Sequence, residues 1–154
     1  MSQSLSQIWV HIIFSTKNRY PFLKDLSVRT RTYNYMGAVC ANLKCKVIAI
    51  NGVEDHVHLL ISLHKNISIS ELVEEVKKSS SKWVKSLGNQ DNDLSKFYWQ
   101  SGYGAFSVSQ SNLEAVRKYV VNQIKHHAKQ GFQDEFREFL IKYAVAYKEE
   151  YVWK

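Results

Sequence analysis

The chain has 154 residues, 45% hydrophobic and 23% charged, with a formal net charge of +7. That size suits one domain over 1–154 with its own core, and that balance excludes a disordered chain. No apolar run is long enough to span a membrane, and Met1 to Gln7 shows no basic-then-apolar leader pattern, so a cytoplasmic protein is expected.

The charge is uneven. Residues 1–50 carry Lys17, Arg19, Lys24, Arg29, Arg31, Lys44 and Lys46 against the single acid Asp25. A cluster of this kind suits a phosphate backbone. Cys40 and Cys45 lack the spacing of a zinc or redox pair and read as buried thiols.

Residues 7–15, rich in β-branched and aromatic types, predict a first strand. Thr16 to Pro21 is a polar turn. Leu26, Tyr33, Met36, Val39 and Leu43 recur at near-helical spacing over about 24–43. Residues 45–50 predict a second strand, and Asn51-Gly52 a hairpin turn into a third. Ser68 and Glu71 have capping-box spacing at the head of a second helix, with Leu72, Val76, Trp83 and Leu87 as its apolar stripe. Lys77, Lys78, Lys82 and Lys85 decorate its C-terminal half.

Residues 97–109 read as a strand interrupted by Gly102 and Gly104, where a bulge or a close backbone approach is expected. Ser111 and Glu114 repeat the capping-box spacing before a third helix reaching towards His127. Gly131 is a plausible stop, and a short fourth helix covers 132–140. The order β-α-β-β-α-β, followed by helices, is the split βαβ, ferredoxin-like or RRM-like arrangement. The expected fold is α+β: an antiparallel sheet with helices on one face, an added C-terminal helix, and a third strand whose open face is free for a ligand.

That third strand begins His56-Val57-His58-Leu59-Leu60. Residues i and i+2 of a strand share a face, so two imidazoles can close on one cation while Val57 enters the core. A hydrogen-bonded polar face is the bland alternative. Tyr119 and Gln123, four apart on the third helix, share a stripe. Tyrosine can form a covalent intermediate, and glutamine offers an oxygen to a hard cation. An ordinary amphipathic contact is the alternative for Tyr119. His126 and His127 are rival ligands or a solvated helix end.

Taken together, these residues resemble the single-strand DNA transposases of the tyrosine HUH superfamily, the TnpA-type insertion-sequence enzymes. The resemblance runs through Phe14-Ser15-Thr16-Lys17-Asn18-Arg19 with Pro21, the His56-Val57-His58 stretch, Lys78 to Trp83, Trp99 to Ser109, and Tyr119-Val120-Val121-Asn122-Gln123 with His126-His127. It implies His56, His58 and Gln123 as ligands of a divalent metal, Mg²⁺ or Mn²⁺, and Tyr119 as the nucleophile. It also implies a 5′-phosphotyrosine intermediate, a hairpin-bearing single-stranded DNA substrate, and a homodimer with composite active sites. Lys17, Arg19, Arg29, Arg31, Lys77, Lys78, Lys82 and Lys85 become candidate DNA contacts, and Trp83, Tyr103 and Phe106 candidate stacking platforms. Three alternatives stay open. One is a domesticated nuclease of repeated palindromes. Another is a non-catalytic single-strand-binding module. The third is a zinc-dependent hydrolase with Glu54 or Asp55 as base.

Overall fold

The computed structural model describes residues 2–154. Four antiparallel strands stand in the order β2-β3-β1-β4: β1 Trp9–Ser15, β2 Lys46–Gly52, β3 His56–Ser62 and β4 Gly104–Val108. The central pair β1 and β3 is buried on both faces, which explains its near-continuous apolar runs.

Side-chain parity sorts the two faces. Val10, Ile12 and Phe14 of β1 join Val57, Leu59 and Ile61 of β3 in the main core, beneath α1 (Leu26–Asn42) and α2 (Ile69–Lys85). Each such fully buried aliphatic side chain contributes about 1.5–3 kcal/mol relative to exposure. Asp25 caps α1 by accepting from the Val28 amide, and Ser68 caps α2 by accepting from the Glu71 amide, as its spacing predicts. Met36 is buried as expected, whereas Leu26 is exposed.

The opposite face carries His11 and Ile13 of β1, His56, His58 and Leu60 of β3, and Phe106 and Val108 of β4. It is not open. It is roofed by α3 (Leu113–Val121), α4 (Gln123–His127) and α5 (Phe132–Lys142), followed by the short α6 (Glu149–Val152). The predicted third helix is two: the chain breaks at Asn122, whose backbone leaves the helical region. Ser111 lies in a 3-10 turn over Gln110–Asn112 and provides no side-chain cap to α3. Its hydroxyl meets Ser109 Oγ at 3.0 Å, and Glu114 pairs with Arg117.

Two further expectations are displaced. Asn51 and Gly52 end β2 rather than forming the turn, which falls at 53–55, because the ladder continues to Gly52 opposite Val57. The fourth strand begins only at Gly104, and Trp99 makes an isolated bridge to Thr16. Gly104 is nevertheless a close approach: a Cβ there would lie 2.6 Å from Phe136 Cε2 of α5.

Candidate active site

β3 alternation sends His56 and His58 together onto the roofed face, where both are fully buried. His127, at the end of α4, brings its Nε2 to 2.9 Å from His56 Nε2. Glu135, on the inner face of α5, reaches down among them. Its Oε1 is 2.9 Å from His58 Nε2 and 3.5 Å from His56 Nε2. Its Oε2 is 3.1 Å from His126 Nε2 and 3.2 Å from His127 Nε2. The Tyr119 hydroxyl donates to the same Oε2 and stands 3.1 Å from His126 Nε2. The paired imidazoles and the phenol therefore meet within one chain, joined by a carboxylate.

The far side of each imidazole is also held. His56 Nδ1 is 2.7 Å from Asp55 Oδ1, His127 Nδ1 is 2.6 Å from the Gln130 carbonyl, and His58 Nδ1 is 2.8 Å from His11 Nε2. Such outer partners fix ring orientation and tautomer. Asp55, a candidate base for a hydrolase, is occupied in orienting His56.

Burial and neighbours set the charges. Burial alone would raise Glu135, but hydrogen bonds from His127, His56 and His58 outweigh it and hold the carboxyl well below its usual range. Burial depresses His58 to about 4 and His11 to about 3, keeping both neutral. For His56 burial acts downward, yet Asp55 and Glu135 together raise it. The Tyr119 phenol is pushed above its ordinary value, first by burial and then by its bond to the Glu135 carboxylate. It therefore stays protonated in this arrangement.

Gln123 is fully buried, but no hydrogen bond joins it to the His pair among the described residues. Its Nε2 donates to the Tyr119 carbonyl at 3.3 Å, and its Oε1 has no partner. The donor set fits the divalent metal that the sequence resemblance implies. His56, His58, His127 and Glu135 each offer one ligand atom, all within 4.8 Å of one another, and the orphaned Gln123 oxygen lacks a cation or donor.

Sequence reasoning missed His11 and Glu135 and left His127 open. Glu135 had a legible signal: it sits within the buried stripe Phe132, Phe136, Leu140, where a lone carboxylate needs partners.

The basic residues divide. Arg29 is buried and donates to the Leu23 carbonyl at 3.2 Å. Lys77 donates to the Gln100 and Gly102 carbonyls. Both spend their charge inside the fold. Lys17, Arg31, Lys78 and Lys82 are exposed. Arg31 lies over Trp83, Lys85 over Tyr98, and Arg19 over Trp153. Phe106 is core, against the stacking expectation; Trp83 is half-buried and stacks on Tyr35; Tyr103 is exposed.

A ferredoxin-like sheet carrying a strand-borne His pair, faced by a helix-borne tyrosine, defines the class of protein. Residues 4–123 match the family described as "Transposase IS200 like", and the chain belongs to that family. Two solved structures share the fold. One is a candidate transposase of Deinococcus radiodurans R1, with a TM-score of 0.62 and 21% identity, covering 80% of this chain and 98% of that one. The other is a REP-associated tyrosine transposase bound to a REP hairpin, with a TM-score of 0.56 and 16% identity, covering 82% and 74% respectively. No curated protein matches. Among the described residues, no helix is long and apolar enough to cross a membrane.

Proposed function

We propose that this transposase cleaves and rejoins single-stranded DNA at hairpin-marked element ends through a 5′-phosphotyrosine formed on Tyr119. One observation carries the reading: the Tyr119 hydroxyl touches a carboxylate that also meets both His56 and His58. In the reaction, Tyr119 Oη bonds the phosphorus as the bond from phosphorus to the 3′ oxygen breaks, freeing a 3′-hydroxyl. The phenolic proton has two acceptors in reach, Glu135 Oε2 and His126 Nε2. An imidazole is intrinsically the more basic of the two. The proton ends on the departing 3′ oxygen. Reversal by that hydroxyl, or by one from another strand, rejoins DNA without an external energy source.

His56, His58 and Gln123 would hold a divalent metal, Mg²⁺ or Mn²⁺ by the resemblance, with the free Gln123 Oε1 as its oxygen donor. When bound, the ion neutralises charge on the non-bridging phosphate oxygens and orients the scissile bond. Lys17 and Arg19 follow β1 at the His56 end of the sheet and are the proposed phosphate contacts nearest the site; Arg31, Lys78, Lys82 and Lys85 extend them across the helical face. Likeness to a solved protein bound to a REP hairpin supports hairpin DNA as the substrate.

The direct test is trapping with a hairpin-bearing oligonucleotide. Wild type should give a covalent adduct, and Tyr119→Phe none; an adduct persisting in the variant would remove Tyr119 from the chemistry. The reading includes a homodimer. Here Tyr119 serves its own chain, so a mixture of His56→Ala and Tyr119→Phe proteins should remain inactive. Recovered cleavage would instead mean that subunits exchange their tyrosine helices.

A further inference from the structure

Resting on the reading of His56 and His58 as metal ligands, we propose that the metal centre is completed by His127 and Glu135. Glu135 Oε1 binds the ion, while its Oε2 holds the Tyr119 hydroxyl. Both added ligands lie beyond the family-matched residues 4–123, on α4 and α5.

The hydrogen-bonding roles make the first argument. His56 Nδ1 faces the Asp55 carboxylate and His127 Nδ1 faces the Gln130 carbonyl, so each must donate from Nδ1. In neutral rings both Nε2 atoms are then bare acceptors, yet they face each other at 2.9 Å. Two lone pairs at that distance repel unless a proton on one ring or a metal ion within reach of both lies between them. Glu135 Oε1, 3.5 Å from His56 Nε2, brings a third electron-rich atom to the same spot.

The separations make the second. Donors at the usual ligand distances from one ion stand roughly 2.9 Å apart along octahedral edges and roughly 3.4 Å apart along tetrahedral ones. The contacts among these groups span 2.9 Å for His56–His127 and His58–Glu135, 3.2 Å for His127–Glu135 and 3.5 Å for His56–Glu135, and one ligand atom from each of the four residues falls within 4.8 Å of the others. The third is support from behind. Each imidazole has an outer partner turning Nε2 inward, the pattern of metal-bound histidine.

Three imidazoles beside the Glu135 and Gln123 oxygens favour a first-row transition ion, Mn²⁺ of the two that the resemblance implies, over Mg²⁺. The two carboxylate oxygens divide the work, so the residue that closes the metal site also positions the nucleophile.

The test is titration of the DNA-free protein with CoCl₂, followed by calorimetry and by visible absorption of bound Co²⁺. Wild type should bind one equivalent. Glu135→Gln and His127→Ala should each weaken binding at least tenfold, with far-ultraviolet circular dichroism unchanged, and His64→Ala should bind as wild type. MgCl₂ at equal concentration should not displace the Co²⁺. Wild-type affinity in folded Glu135→Gln or His127→Ala protein, or no Co²⁺ binding by wild type, overturns the assignment. Neither result touches the tyrosine-adduct assay, which judges the DNA-cutting reading on its own.

Discussion

Lys77 shows how a residue's type misleads about its task. It lies on a helix dotted with lysines, yet its ammonium donates to the Gln100 and Gly102 carbonyls and stands 5.0 Å from the Phe14 ring centre. Burial lowers it to about 8 from 10.5. Below pH 8 both folded and unfolded chains carry the proton. Between about 8 and 10.5 only the unfolded chain does, so stability gains as pH rises through that window. Urea unfolding at about pH 7.5 and about pH 9.5 should show wild type gaining on Lys77→Met at the higher pH; a constant gap would contradict the burial. Cys40 offers a second check at this scale. Burial pushes its thiol up to about 12, and Cys45 is buried as well. Native protein at about pH 8 should resist iodoacetamide, with both cysteines labelled only after denaturation.

Among elements, the tightest constraint on the site is where β2 meets the first residues of β3. A Cβ on Gly52 would stand 2.2 Å from the His56 carbonyl oxygen and 2.9 Å from Val57 Cα. Both are backbone, so β3 itself must shift. Gly52→Ala should cost about 1–3 kcal/mol or more in denaturant unfolding. It should weaken Co²⁺ binding although no ligand has changed. The α2 cap is a milder case: Ser68→Ala removes the bond to the Glu71 amide and should cost about 1 kcal/mol, with cleavage unaffected. Gly104 lets Phe136 pack against β4, and Phe136 is adjacent to Glu135. The apolar face of α5 thus sets the height of the carboxylate over the His pair.

Over the whole molecule the two faces of the sheet are unequal. The α1/α2 face shares one large apolar cluster, whereas the C-terminal roof rests on two small clusters with the polar site between them. A roof with less apolar burial opens at lower free energy. Amide exchange in α4 and α5 should outpace that in β1, β3 and α2, and Co²⁺ should slow it. Equal protection on both faces would refute this division.

The sequence by itself determined the strand parity that pairs His56 with His58, the Ser68 cap and the order of the strands and first two helices. These are local: alternation and helical spacing act over a few residues and can be read from neighbours in the chain. Which side the last helices cover, and so the meeting of His11, His127 and Glu135 with the pair, was decided only by tertiary structure. Glu135 lies 77 positions from His58, and no local rule relates them. They meet because a carboxylate on an apolar helix face cannot be buried until other groups supply its hydrogen bonds and opposing charge. The folded sheet offers those groups at one place, the imidazoles of β3.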